Sequence, residues 1–130
     1  MSRTTIDELL SETRRGLVRV GPADAQTAVH DGASLIDIRS ESQQMRDGLV
    51  PGALVIGRNV LEWRLDPDCA HRHPEAPGID AHVIVMCNEG YQSSLAAATL
   101  QQLGFSRATD LVGGFQAWRE AGLPVSPGLP

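Results

Sequence analysis

Cys87 ends a short apolar run, His82-Val83-Ile84-Val85-Met86, and opens the polar segment Asn88-Glu89-Gly90-Tyr91-Gln92-Ser93. The residues that follow, Ser94-Leu95-Ala96-Ala97-Ala98-Thr99-Leu100, read as a helix. A thiol between a buried strand and a helix N-terminus sits where backbone N–H groups and the helix dipole both favour negative charge. Those are the surroundings in which a cysteine acts as a nucleophile. A purely structural thiol would fit the apolar run, but not the glycine-containing loop after it.

The elements that must position this sulfur follow from periodicity. Thr5 and Glu8 form a capping-box pair, and Ile6, Leu9, Leu10, Thr13 and Leu17 keep helical spacing, which predicts an amphipathic helix over 5–15 that covers the sheet, with an interaction face as the alternative. Leu17-Val18-Arg19-Val20 reads as a brief strand, then Gly21-Pro22 opens a helix through His30. Leu35-Ile36-Asp37-Ile38 is a second strand, Ser40 caps a short helix over 41–47, and Leu54-Val55-Ile56 is a third strand followed by a helix from Asn59 to Leu65. Asp66 to Gly78, with three prolines, reads as a surface loop. Strand 82–86, helix 91–103, strand 108–112 and helix 114–121 complete the chain. Strands alternating with helices predict an α/β fold with a mainly parallel sheet covered on both faces. Ligands of such sheets bind beyond the carboxyl ends of the strands, where Arg39, Gly57-Arg58, Cys87 and Gly113-Gly114 all fall.

With 130 residues, 42% of them hydrophobic and 21% charged, the chain is sized and composed for one soluble domain. The net charge of −5 excludes broad binding to nucleic acid or to anionic membranes, so an anionic ligand must be recognised locally. Two cysteines, Cys69 and Cys87, make no disulfide framework, and no run has signal-peptide or membrane-spanning character. Cytoplasm is the expected compartment, where a thiol stays reduced.

From Val18 to Pro124 the chain resembles the rhodanese-like (sulfurtransferase) family. Four pieces carry the resemblance: Leu35-Ile36-Asp37-Ile38-Arg39, Gly48-Leu49-Val50-Pro51-Gly52-Ala53, Cys87-Asn88-Glu89-Gly90-Tyr91-Gln92-Ser93, and Leu111-Val112-Gly113-Gly114-Phe115-Gln116-Ala117-Trp118. It implies a single rhodanese-like domain over 18–124 with a five-stranded, mainly parallel sheet, preceded by a helical segment (1–17) and followed by a short tail (125–130). It also implies a cysteine, Cys87, that takes sulfane sulfur from thiosulfate or a protein persulfide and passes it to a thiol, cyanide or protein acceptor. Amides from Asn88 to Ser93 would cradle the anionic persulfide, Gly90 would let the loop curl, and the Ser93 and Ser94 hydroxyls would donate toward the sulfur. No metal or organic cofactor is needed.

Catalytic members of that family commonly carry a basic residue after the cysteine and an arginine late in the loop. Asn88 and Gln92 occupy those places here, with acidic Glu89 between them and Leu49 where histidine is common. Arg58 and Arg64, beyond the third strand, are candidates for the missing charge, against the plainer reading that they pair with Glu62 and Asp66. Asp37 and Arg39 read as a structural ion pair. Trp63, Phe105, Phe115 and Trp118 read as core or helix-packing aromatics, with Trp63 as a possible pocket wall. Cys69-Ala70-His71-Arg72-His73 lacks structural zinc spacing and reads as a loop tip, in which Cys69 is a candidate resolving thiol. Two rivals to sulfur transfer are a non-catalytic rhodanese-like binding or regulatory module, and phosphatase or arsenate-reductase chemistry. The latter wants a loop arginine that Gln92 replaces.

Overall fold

The computed structural model describes residues 2–128. Four parallel strands, β1 (Ser34–Asp37), β2 (Leu54–Val55), β3 (Val83–Met86) and β4 (Ala108–Asp110), form one sheet in the order β2-β1-β3-β4. Each connection between successive strands is thus a crossover, as the alternating pattern requires. The helices are α1 (Ile6–Arg14), α2 (Pro22–His30), α3 (Glu41–Asp47), α4 (Leu61–Leu65, after a 3₁₀ turn at Arg58–Val60), α5 (Gln92–Gln102) and α6 (Gly114–Glu120).

Period-two side-chain alternation divides the core between the two faces of the sheet. Ile36, Val83, Val85 and Cys87 join Leu61, Leu65, Ala96, Ala97, Leu100 and Phe105 on one face. Leu35, Ile84 and Met86 join Ala25, Leu111, Phe115 and Trp118 on the other. All four β3 residues are fully buried, which is why this strand shows no polar alternation in sequence. Each large side chain buried this way contributes about 1.5–3 kcal/mol.

Local signals set the helix ends. Thr5 and Glu8 close the reciprocal capping box of α1, and Ser40 and Gln43 close one on α3. Gly48, at φ 94°, ends α3 in a conformation that a side chain would resist.

Two expectations are corrected. The fifth strand, at Leu17–Val20, is reduced to a single parallel bridge between Val20 and Leu111. Val18 is 84% exposed, so nothing packs against it to extend the pairing. In addition, α1 does not cover the sheet: it lies against α5, buries no residue, and leaves Ile6 and Leu9 exposed. The segment from Asp66 to Gly78 is irregular, as read, and is tied back by the Arg72 guanidinium donating to the carbonyls of Ala76 and Pro77. No helix among the described residues is long and apolar enough to cross a membrane.

Candidate active site

β3 delivers Cys87 directly into the loop 88–91, and α5 begins at Gln92. Cys87 is 2% exposed, and its sulfur accepts the Gly90 N–H at 3.1 Å. Gly90, at φ 88°, makes this return possible. A Cβ there would stand 2.7 Å from the Gly113 nitrogen, so the position requires glycine on space as well as on conformation.

Most of the loop's carbonyls are spoken for. Those of Cys87 and Asn88 accept the Phe115 and Gln116 N–H groups at 2.9 and 3.1 Å, from the start of α6. That approach needs Gly114, whose Cβ would lie 2.5 Å from the Cys87 oxygen. The Gly90 carbonyl accepts from two guanidiniums, Arg14 at 2.7 Å and Arg19 at 3.0 Å. By contrast, among the described residues the amides of Glu89, Tyr91, Gln92 and Ser93 find no protein acceptor. With most acceptors satisfied inside and several donors left over, the segment has the makings of an anion-binding nest.

Three of these donors, on Glu89, Tyr91 and Gln92, belong to residues that line a shallow recess of about 260 Å³ together with Gln43, Cys87 and Asn88. Glu89, Tyr91 and Gln92 are exposed, whereas Gly90 and Ser93 are buried. No residue of the 66–78 loop lines the recess, so that loop does not cover the sulfur. A larger cavity of about 360 Å³ lies along the same rim, against Arg39, Gln44, Met45, Leu49 and Val55, and does not include Cys87.

The serines do not serve as read. Ser93 and Ser94 both donate to the same Asp110 carboxylate oxygen, at 2.7 and 2.8 Å, rather than to the sulfur. Asp110 is fully buried at the end of β4 and also takes a two-pronged bond from Arg19, at 2.8 and 3.1 Å. Arg14 donates to the Ser94 hydroxyl at 3.0 Å and lies over the Tyr91 ring. A buried network therefore holds the underside of the loop. Sequence reasoning missed Arg14, Arg19 and Asp110. The available signal was a charge inside each of two apolar runs, Val18-Arg19-Val20 and Ala108-Thr109-Asp110-Leu111, since buried charges must find each other.

Arg58 and Arg64 are engaged elsewhere. Arg58 pairs with Glu62 at 3.0 Å, Arg64 donates to the His71 carbonyl at 2.7 Å, and neither lines the recess at Cys87. The source of positive charge proposed from the sequence is thus not brought to the sulfur. Trp63 is corrected too: it is 58% exposed, and with Glu62, Asp66, Cys69 and Leu103 lines a separate recess. Asp37 and Arg39 form the expected fully buried pair at 2.7 Å, and Arg39 also lies 3.8 Å from the Phe115 ring centre and donates to the Gly48 carbonyl.

The Asn88 side chain is held on the rim, its Oδ1 accepting from Gln116 at 2.9 Å. Gln116 in turn donates to Asp47 at 3.2 Å. Hydrogen bonding from Arg46 holds the Asp47 carboxyl down at about 2, with help from its charge, from Gln116 and from Arg119, against some desolvation.

The rhodanese-like domain profile matches residues 21–121, and the chain belongs to that family. Proteins similar to it include sulfurtransferases. A thiosulfate sulfurtransferase GlpE from Ectopseudomonas mendocina is 34% identical over 101 residues, 78% of this chain and 84% of that protein. A sulfurtransferase from Allochromatium vinosum is 33% identical over 91 residues, 70% of this chain and 76% of that protein. Among solved structures, a protein of unknown function from Rhodopseudomonas palustris, described as a possible tyrosine phosphatase, superposes with a TM-score of 0.85 at 32% identity, covering 97% of this chain and 99% of that one. The human single-domain sulfurtransferase TSTD1 superposes with a TM-score of 0.68 at 27% identity, covering 78% of this chain and 95% of that one.

Proposed function

We propose that the protein is a sulfurtransferase that carries sulfane sulfur as a persulfide on Cys87. The observation that supports this most directly is the sulfur's seat in a loop most of whose carbonyls are tied back, while the Gly90 amide meets the sulfur and several amides beside it stay free. The Cys87 thiolate attacks the outer sulfur of the donor, an S–S bond forms, and the donor's own bond to that sulfur breaks. With thiosulfate the leaving group is sulfite, which departs with the electron pair. The persulfide keeps one negative charge, which the Gly90 amide and the free amides beside it stabilise. Donors already aimed at the charge do not reorganise during the reaction, and each is worth about 3 kcal/mol where tested. A nucleophilic acceptor, cyanide or a thiolate, then attacks the terminal sulfur and Cys87 leaves as thiolate. No external oxidant or reductant is consumed.

Intact mass after incubation with thiosulfate, and separately with polysulfide, tests this reading. One added sulfur atom is expected in the parent and none in Cys87→Ser, with release to cyanide. Absence of any adduct while Cys87 still reacts with an alkylating agent would leave a binding module as the better description.

Phosphate-ester hydrolysis is the second reading, favoured by the likeness to the Rhodopseudomonas protein. Against it, Gln92 supplies no charge for a dianion and Ser93 is buried on Asp110. Turnover of an aryl phosphate lost in Cys87→Ser would establish it.

A further inference from the structure

Arg14 and Arg19 both precede residue 21, outside the matched family domain, yet both end on the active-site loop. We infer that these two arginines act as positioning residues that charge the sulfur-carrying loop from behind, in place of the arginine missing at position 92. For its use in catalysis this rests on the sulfur-transfer reading, but its test does not.

The geometry is that of one peptide group. Two guanidiniums fix the Gly90 carbonyl on the inner side of the loop, at 2.7 and 3.0 Å. A trans peptide plane sends the N–H of the next residue the opposite way. The Tyr91 N–H therefore faces away from the arginines, on a residue that lines the recess, and it has no protein acceptor among the described residues. Two cations on the carbonyl polarise that peptide and make its N–H a stronger donor.

Charge accounting agrees. Asp110 neutralises one of the two arginines, so one net positive charge stays under the loop. Arg14 is also the natural entry point for α1: with no buried residue, that helix meets the domain through its last turn. Its contribution is thus to the loop rather than to the core.

Two alkylating agents of similar size read the local field. Iodoacetate is anionic and iodoacetamide neutral, so the ratio of their rates at Cys87 reports positive potential, whereas a change in access or packing slows both alike. In the parent this ratio should exceed that of a neutral free thiol, N-acetylcysteine amide; a ratio at or below it overturns the inference without any variant. Arg14→Gln should lower the ratio about fivefold, as the loss of one nearby charge predicts. Arg14→Lys should keep most of it, and adding Gln92→Arg to Arg14→Gln should restore it. An unchanged ratio in folded Arg14→Gln, or equal slowing with both reagents, overturns the inference. A fallen ratio in a protein that takes up no sulfur upholds the arginine clamp and removes the sulfurtransferase reading. Sulfur uptake with an unchanged ratio does the reverse.

Discussion

Asp110→Asn is the substitution that tests most sharply whether the loop is held from below. The carboxylate accepts four bonds, two from Arg19 and one each from Ser93 and Ser94. An asparagine amide presents one oxygen and one NH₂ to the same four donors. With its oxygen on the serines, the NH₂ faces an Arg19 N–H. Turned round, it keeps Arg19 on one prong and forces both serines to reverse their roles. Either way a guanidinium that is only 18% exposed loses its counter-charge. Breaking a buried pair on one side costs about 3–5 kcal/mol, and the partial exposure of Arg19 brings the expected loss to about 3 kcal/mol. For a chain of this size that lowers Tm by roughly 10 °C. The loop should loosen with it, and thiosulfate or polysulfide should load Cys87 several-fold more slowly in protein that is still folded. Thermal unfolding by circular dichroism and loading by intact mass measure the two effects. Arg19→Met on the Asp110→Asn background should cost clearly less than the sum of the single changes, because the orphaned cation goes too. Additive effects, or a Tm within about 3 °C of the parent, would show that the network does not brace the loop.

Gly114→Ala sets a Cβ 2.5 Å from the Cys87 carbonyl at a residue with φ 61°. Backbone cannot yield as a side chain does, so a loss of about 2–4 kcal/mol in urea unfolding is expected, together with reduced sulfur loading; full stability would refute the close approach. Gln92→Arg adds a charged donor at the edge of the recess, and should lower KM for thiosulfate about tenfold with a smaller change in kcat, as steady-state kinetics will show. Glu89→Gln removes the exposed carboxylate beside the sulfur, and should speed loading by thiosulfate more than loading by a hydropersulfide; equal acceleration would show that donor charge is not being read. Asp47, held at about 2 by Arg46, favours the folded state while it is ionised. That contribution is complete above its usual carboxylate range and disappears as pH falls through about 2. The Tm advantage of the parent over Asp47→Asn should therefore shrink between pH 4 and pH 2, and a constant difference would remove Asp47 from the acid response.

What the sequence made legible was local. Apolar runs, capping pairs and glycines place most helices and strands within a residue or two, because the forces that set them act over one turn or one strand. Cys87 was legible for the same reason: strand, thiol, glycine and helix follow one another in the chain. The Asp37–Arg39 pair spans two residues and could be read as a unit. The underside of the loop was not local. Arg14 meets Ser94 across 80 residues of chain, and Arg19 meets Asp110 across 91. No periodicity encodes such a meeting; only the topology brings the segment before α2 against β4. For the same reason Ser93 and Ser94 could not be assigned between the sulfur and a carboxylate whose position was unknown. For Arg58 the plainer reading held: Glu62, four residues away and so a neighbour on the same turn, took the guanidinium, and the distant site did not.

The departures from the family's loop then bear on which donor the site suits. An arginine at position 92 would serve the oxygens of a dianion such as thiosulfate, which present a spread of charge that a planar, charged fork matches. Gln92 offers one neutral donor, and Glu89 sets a negative charge at the mouth of the recess. Both changes penalise a dianion more than a singly charged persulfide. The features retained here, the Gly90 amide at 3.1 Å from the sulfur and the free amides beside it, act on the charge at the sulfur rather than on the donor's oxygens. On the proposed mechanism the loop has therefore kept what the persulfide needs after transfer and given up what thiosulfate needs before it. A clamp that strengthens the amides from behind serves that balance, because it stabilises negative charge at Cys87 without placing a cation where a bulky donor, such as the persulfide of another protein, must approach.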